Sequence, residues 1–304
     1  MGWVERDNVA YTLAGPIDTQ VKATLQASPW ALFSVAAALP TGQSTHDTEQ
    51  AVVASVLSAD FLGFRESTWG TGMGITSSVA TAMRAGGFGL GIAASYSVHG
   101  QFEPSADQTL KYQPGNETRV RVGIDGNIGT TTLTAGATFM MYTADQADGI
   151  NLFQAGNRLR FDATYQFRAG AGVWTLYGAD LWREHGDLTL PFVDENNVTV
   201  GDTTYTTPTQ NLVIAGMQGV IGLGGSYVFR PNIDLRLQTR KDAAGSDQGS
   251  GWIVAAGGDI PVRLFGGTDV FPKARFLYGS EKDPSGVSRR IRGAELSFTL
   301  RWGF

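Results

Sequence analysis

The C-terminal stretch of this chain alternates strictly between apolar and other residues, and this limits the folds open to it. The apolar positions are Ala294, Leu296, Phe298, Leu300, Trp302 and Phe304. The positions between them hold Glu295, Ser297, Thr299, Arg301 and Gly303. Successive side chains of a β-strand point to opposite faces of the sheet. The pattern therefore predicts a strand with one apolar face and one polar face.

Alternation of the same kind recurs along the chain. In the clearest example, Val120, Val122 and Ile124 share one face of a predicted strand. The opposite face carries Glu117, Arg119, Arg121 and Asp125. Similar patterns occupy 69–84, 87–99, 131–143, 158–168, 233–240, 252–263 and 272–281. The chain is therefore predicted to be all-β.

The predicted connections alternate between short turns and longer loops. Short turns are predicted at 85–86, 126–129, 169–171, 230–232 and 266–268, and longer loops at 41–67, 102–115, 144–149, 186–210, 241–249 and 281–286. Such alternation is typical of outer-membrane barrels, whose short turns are periplasmic. The chain from Trp30 to Phe304 yields about twelve strands, and segments around Val9–Leu13 and Thr19–Gln26 raise the count to about fourteen.

The strand pattern fits two fold classes. A soluble β-sandwich buries its apolar faces, whereas a membrane barrel turns them toward lipid and its charged faces inward. Strands of about ten or more residues, against roughly five or six in average globular sheets, favour the barrel. We predict one domain over residues 1–304. Its fold class is a transmembrane antiparallel up-and-down β-barrel of about twelve strands, or about fourteen if the N-terminal hairpin joins, with short periplasmic turns and long extracellular loops.

Composition excludes several classes of protein. No apolar run is long enough for a transmembrane helix. The absence of cysteine excludes a disulfide framework and any cysteine-ligated metal site. A formal net charge of -5 provides no basic surface for nucleic acid, so no nucleic-acid partner is predicted.

The C-terminal residues Phe298, Leu300, Trp302 and Phe304 resemble the last strand of bacterial outer-membrane β-barrel proteins, which typically ends in Phe. The resemblance implies that these residues form an assembly signal recognised by the barrel-assembly machinery. It also implies localisation in the bacterial outer membrane, with lipid and lipopolysaccharide as partners.

Charged residues occupy the predicted inner face of the barrel. Our candidates for pore-lining cations are Arg119, Arg121, Arg158, Arg160 and Arg236, with Asp125, Asp162, Asp234 and Glu295 as counter-charges. Guanidinium groups in a low-dielectric wall raise the local occupancy of anions. The alternative is a charge network in which the carboxylates neutralise the arginines and brace the wall. The two interpretations are compatible, because a braced wall still conducts.

The predicted external loop 41–67 lacks strict alternation and is rich in Ala, Val and Leu. A short helix is predicted within Glu49–Phe61, with Thr48 as its N-cap. One hypothesis is that this loop folds into the pore and narrows it; the other is a surface helix that stabilises the barrel mouth. Glycines at 70, 72, 74, 87, 89 and 91 leave room on one face of two predicted strands. Either the helix, an N-terminal segment or a substrate packs there, or the glycines relieve curvature.

The sequence offers little for catalysis. Its histidines are His46, His99 and His185, and none stands at a diagnostic distance from a nucleophile or a carboxylate. We predict no catalytic site, no metal site and no cofactor.

A short motif resembles a particular family of barrels. The segment Ala38-Leu39-Pro40-Thr41-Gly42, followed by Trp69-Gly70-Thr71-Gly72, is similar to a pattern in outer-membrane proteins of the meta-pathway phenol-degradation type. That family is grouped with fatty-acid-transporter-like barrels, so the resemblance implies a barrel fold and passage of hydrophobic compounds. The polar inner face predicted here does not suit a tunnel dedicated to such compounds.

These features predict an outer-membrane pore or channel, monomeric or trimeric, for passive or facilitated passage of small solutes. An occluded structural or partner-binding barrel is the main alternative. A translocator barrel of an autotransporter is a further alternative.

Overall fold

A computed structural model describes residues 2–6, 9–63, 70–107, 109–193, 199–224, 227–263 and 268–302. The predicted terminal Phe304 and the motif residue Trp69 therefore lie outside the described residues. Within the described ranges, no helix has both the length and the hydropathy needed to cross a membrane.

The described residues are mostly in β-strands, and one short helix lies among them. In chain order the elements are β1 (Gly2–Arg6), β2 (Val9–Leu13), β3 (Thr19–Ser28), β4 (Ala31–Leu39), α1 (Thr48–Leu57), β5 (Gly74–Ala85), β6 (Phe88–His99), β7 (Tyr112–Gln113), β8 (Glu117–Ile128), β9 (Thr131–Tyr142), β10 (Asp145–Ala147), β11 (Ile150–Gln154), β12 (Arg158–Ala169), β13 (Gly172–Arg183), β14 (Asp187–Val193), β15 (Thr199–Thr206), β16 (Thr209–Gly224), β17 (Tyr227–Lys241), β18 (Asp247–Asp259), β19 (Val262–Arg263), β20 (Thr268–Lys282) and β21 (Ser288–Trp302). The chain is all-β, as its alternation predicted.

A 14-stranded antiparallel sheet contains the long strands in an up-and-down order. It runs from β3 through β4, β5, β6, β8, β9, β12, β13, β16, β17 and β18 to β20, with β19 and β21 paired to β20. Among the described residues no strand joins the free edges of β3 and β21, so the sheet is not closed. Val9–Leu13 does not enter it, because this strand pairs with Gly2–Arg6 in a separate hairpin. The fourteenth strand is instead the two-residue β19.

Connections at the two ends of this sheet differ in size. We call one end the short-turn end, where β5–β6, β8–β9 and β12–β13 are joined by tight turns containing Gly86, Gly129 and Gly170. Each of these glycines has a positive φ that an L-residue rarely adopts. The opposite end, which we call the long-loop end, carries α1 and the short strands between β6 and β8, β9 and β12, and β13 and β16.

The polarity of the large sheet is inverted relative to a soluble protein. On β21, Leu296, Phe298 and Leu300 are 75%, 78% and 72% exposed. On the other face, Asp234 and Arg275 are only 5% and 4% exposed. A soluble sheet buries its apolar side chains and solvates its charges. This sheet therefore lacks the arrangement expected of a β-sandwich.

A small sheet stands at the long-loop end, with β7, β10, β11, β14 and β15 side by side. The Tyr112 hydroxyl donates a hydrogen bond to the Asp145 carboxylate, which also accepts from the amide of Gly115 at 2.6 Å. Burial and this carboxylate together raise the pKa of Tyr112, so the phenol stays protonated. The contacts tie two loops to one another.

Helix α1 spans Thr48–Leu57, and Asp47 caps it rather than Thr48 as predicted. The Asp47 carboxylate accepts from the amide of Gln50 at 2.7 Å, and the Gln50 side chain accepts in return from the Asp47 amide. Val53 and Leu57 of the helix are buried against Leu13 of β2. The N-terminal hairpin therefore packs on α1 rather than extending the large sheet.

Candidate functional site

The segment after α1 reaches the polar face of strands that are remote in the sheet. We call Asp60–Gly63 the loop tip. Arg236 on β17 donates to the carbonyl oxygens of Asp60 at 3.3 Å and Phe61 at 3.4 Å. Arg275 on β20 donates to the carbonyl oxygen of Gly63 at 2.9 Å. This loop leaves the sheet at β4, near one edge of the strand order, and its tip docks on β17 and β20, near the other edge.

An apolar contact anchors the loop tip as well. Phe61 is 5% exposed and belongs to a buried cluster on the polar face with Leu212, Ile253, Ala255 and Leu277. A recess at Gly251 receives the phenyl ring, because a Cβ atom there would lie 2.7 Å from its Cζ. Leu62 packs beside the same cluster.

Glycine at position 63 favours this docking. Its φ is +60°, in the left-handed region that favours glycine. A Cβ atom at this position would overlap the guanidinium of Arg236. The absence of a side chain at residue 63 therefore allows the loop backbone to approach this guanidinium closely.

A buried charge network lies directly under the loop tip. Asp234 accepts from Arg236 Nε at 2.7 Å and from Arg275 Nη2 at 3.1 Å. Glu295 Oε2 lies 3.6 Å from Arg275 Nη1, and Lys273 lies 3.8 Å from the other Glu295 oxygen. One carboxylate between two arginines holds both guanidiniums in place, and these also donate to the loop backbone.

A second network brings together three of the predicted pore-lining residues. Arg121 on β8 donates two hydrogen bonds to the Asp162 carboxylate on β12, at 2.7 and 2.8 Å. It also donates to the Thr138 hydroxyl at 2.8 Å. Arg160 Nε lies 3.8 Å from the same carboxylate. Because Arg121 donates two hydrogen bonds to one carboxylate, the Arg121–Asp162 pair is a strong bidentate contact.

The remaining predicted residues take separate positions on the polar face. Arg119 pairs with Glu117 of its own strand and stays 54% exposed at its side chain. Arg158 lies 3.7 Å from the Asp60 carboxylate and 5.2 Å from the centre of the Tyr142 ring. The Asp125 carboxylate fills space next to Gly89, where a Cβ atom would lie 2.6 Å from its Oδ1.

Strand register shows how these positions are related. Arg119, Arg158 and Arg183 occupy one row across β8, β9, β12 and β13, because Met140 pairs with both Arg119 and Arg158. The row continues through Gln210 to Arg240. The nine predicted pore-lining residues all fall on the polar face by this register. Their lining of a pore remains a prediction.

Sequence reasoning did not select several residues that matter here. Arg240 and Arg275 follow the alternation of the predicted inner face but were not among the candidate pore-lining residues. Arg183 ends a strand whose alternation is weak. The loop tip gave no periodic signal, although a glycine after an apolar pair is consistent with a close backbone approach.

The glycines and one of the histidines singled out in the sequence have identifiable neighbours. The helix does not pack against these glycines: before β5, Gly70 lies against the backbone of Gln43 and Gly72 against Phe102, and on β6, Gly89 lies against Asp125. The imidazole Nδ1 of His99 lies 2.9 Å from the carbonyl oxygen of Gly115, so this histidine secures a loop.

Comparisons with known proteins give a limited result. No family model matches the chain, and no curated protein sequence matches it. The chain is similar in structure to OmpT (in vitro folded), an outer membrane protein of Vibrio cholerae. The TM-score is 0.46 and the identity 11%, with 98% of this chain and 92% of that chain covered. The resemblance to the meta-pathway phenol-degradation family remains a prediction.

Proposed function

We propose that the chain is a bacterial outer-membrane β-barrel through which small polar solutes pass. One observation carries this proposal: charged side chains such as Asp234 and Arg275 are buried on one face of the sheet, whereas large apolar side chains on the other face are exposed. Lipid solvates such an apolar face, and an enclosed aqueous interior solvates the charges. In this arrangement β3 and β21, the free edges of the sheet, lie side by side and complete the barrel.

The loop tip is the constriction of this proposed pore. It docks on β12, β17 and β20 through polar and apolar contacts, so it narrows one side of the interior. The opposite wall carries small hydroxyl groups, with Ser34 and Ser78 oxygens 2.6 Å apart and Thr76 and Ser97 oxygens 2.8 Å apart. Solutes would pass between this hydroxyl wall and the docked loop.

The exposed C-terminal strand is consistent with the proposed assembly route. Phe298 and Leu300 on β21 are highly exposed at a sheet edge, which is where an assembly factor would have access. We propose that the barrel-assembly machinery recognises them, together with Trp302 and Phe304. Outer-membrane lipid and lipopolysaccharide would then contact the apolar face. The protein would be monomeric or trimeric in the membrane.

Conductance through a planar lipid bilayer tests the pore. Protein folded in detergent and added to one chamber is expected to produce discrete current steps, because ions cross a polar interior. Folding is checked first by circular dichroism of the β-sheet. A well-folded sample without any current steps would contradict the proposed passage of solutes.

Charge reversal tests the arginines of the wall. The double variant Arg119→Glu and Arg160→Glu changes two side chains that are 54% and 49% exposed. The ratio of anion to cation permeability is expected to fall roughly fivefold or more, because a unit charge at about 4 Å in water is worth about 1 kcal/mol. The reversal potential in a salt gradient measures this ratio.

Lys241→Glu is the control for this charge reversal; it reverses one charge where the double variant reverses two, so the shifts in selectivity are compared per reversed charge. Lys241 ends β17 at the long-loop end, and alternation places it on the apolar face beyond Leu235 and Leu237. Its reversal is expected to leave selectivity nearly unchanged. An equal shift per reversed charge in both proteins would mean that the polar face does not line the path.

A second candidate function is favoured by the docking of the loop tip itself. An occluded barrel would have a structural or partner-binding role and would be closed by this loop. It would also need Phe61 as an anchor, together with the arginines that contact the loop tip, which are Arg158, Arg236 and Arg275. Such a barrel is expected to conduct only after the loop tip is released. The glycine variant described in the Discussion separates the two cases.

A further inference from the structure

Three arginines gather at the long-loop end of the polar face. Arg158 and Arg183 are direct cross-strand partners on β12 and β13. Arg240 on β17 follows in the same row, separated from Arg183 only by Gln210. Like charges this close repel one another, so the cluster destabilises the fold unless negative charge balances it.

The carboxylates nearby balance this cluster only in part. Glu281 pairs with Arg240, and Asp60 of the loop tip approaches Arg158 at 3.7 Å. In the described part of the chain, the Arg183 side chain has neither an ion pair nor a hydrogen bond. Among the described residues, the cluster therefore carries one more positive charge than its carboxylate partners neutralise.

Donor groups of the cluster are also left without acceptors. The Nε atoms of Arg158 and Arg240 are buried and have no hydrogen-bond partner among the described residues. Buried donors of this kind are costly and call for an explanation, such as an ion. The centre of the Tyr142 ring lies 5.2 Å from the Arg158 guanidinium carbon, a distance at which the ring attracts the cation.

We propose that Arg158, Arg183 and Arg240 form a binding site for the phosphate group of a small solute at the mouth of the pore. A tetrahedral oxyanion accepts several hydrogen bonds, and guanidiniums match its geometry. The Asp60 carboxylate competes for Arg158, so the docked loop tip limits how tightly the site binds. This inference rests on the proposed function, because it names the class of solute that the pore would concentrate. Its place on the polar face separates it from lipid headgroups on the apolar side.

Titration with inorganic phosphate tests the site directly. Protein folded in an uncharged detergent without lipid is titrated calorimetrically, with the parent expected to bind one phosphate per chain. Arg183→Gln is expected to weaken binding about tenfold or more, because it removes charge-assisted hydrogen bonds. Asp60→Asn is expected to tighten binding, because the competing carboxylate is gone while the Asp60 carbonyl still accepts from Arg236.

Arg84→Gln provides the matched control. Arg84 lies on the polar face near the short-turn end, in the row of Gly89 and Asp125, and its replacement changes the net charge by the same amount. Its phosphate affinity is expected to equal that of the parent. Equal weakening by Arg84→Gln and Arg183→Gln would overturn the site and indicate a general charge effect. So would a parent that binds no phosphate.

Further outcomes keep the site and the pore separate. If Arg183→Gln does not fold, unchanged affinity in Asp60→Asn would still overturn the site. Current steps without phosphate binding would refute the site and leave the pore standing. Phosphate binding without current steps, in parent and released-loop protein alike, would support the site and refute the pore.

Discussion

Replacing Asp234 with alanine is expected to lower the free energy of unfolding by about 3–5 kcal/mol. Asp234 is 5% exposed and is held between Arg236 and Arg275, which is itself 4% exposed. Removing the carboxylate leaves two guanidiniums facing each other with little access to water. Urea unfolding of the protein in lipid vesicles, followed by tryptophan fluorescence, measures the change.

A double-mutant cycle and an exposed pair serve as controls for this prediction. Asp234→Ala combined with Arg275→Met is expected to cost less than the sum of the single changes, because the unpaired charge is removed with its partner. Asp269→Ala removes the partner of Arg263, whose Nε lies 3.3 Å from Asp269 Oδ1. The Arg263 side chain is 83% exposed. Asp269→Ala is expected to cost about 1 kcal/mol or less. Equal losses for Asp234→Ala and Asp269→Ala would contradict the buried network.

Replacing Gly63 with valine is expected to release the loop tip and raise the single-channel conductance. The positive φ alone costs an L-residue about 1–2 kcal/mol, which shifts the ratio of docked to released loop by roughly tenfold. The overlap of any Cβ atom with the Arg236 guanidinium adds to this cost. Conductance steps in planar bilayers, recorded beside the parent protein, measure the effect.

Gly286→Val is the matched control for the loop tip. Gly286 has a φ of +87°, yet the nearest atom to a Cβ there is the Lys282 Cε at 3.6 Å. It lies in the loop between β20 and β21, so strain at this position is expected to leave conductance unchanged. Gly251→Ala offers an independent route, because it fills the recess for the Phe61 ring from the wall side. Unchanged conductance in folded Gly63→Val and Gly251→Ala proteins would mean that the loop tip does not narrow the path.

Much of the sheet was predictable because its signal is local. Alternation in Glu117–Asp125 requires only that neighbouring side chains point to opposite faces. Glycines such as Gly129 and Gly170 mark turns because few other residues adopt their φ. The prediction for the N-terminus was wrong in part, because Val9–Leu13 has a strand pattern but pairs with Gly2–Arg6. A strand pattern identifies a strand and leaves its partner open.

The site was less predictable than the sheet. Alternation correctly grouped Arg121, Asp162 and Asp234 on one face, yet it could not say which charges neutralise each other. Arg121 and Asp162 are on strands separated by β9, and their contact depends on register across that strand. Arg183 could be recognised as part of a cluster only from the strand register, which places it in one row with Arg119, Arg158 and Arg240. Such relations depend on residues far apart in the chain.

The sequence by itself determined an all-β chain with one charged and one apolar face, because alternation follows from the covalent geometry of an extended backbone. Only the tertiary structure decided that the loop after α1 turns onto the polar face, with Phe61 against Gly251 and Gly63 against Arg236. Those contacts join segments separated by most of the chain, and they depend on packing and close approach rather than on any periodic pattern. Tertiary structure likewise decided which arginines are neutralised and which gather at the long-loop end, because charge balance depends on register across several strands.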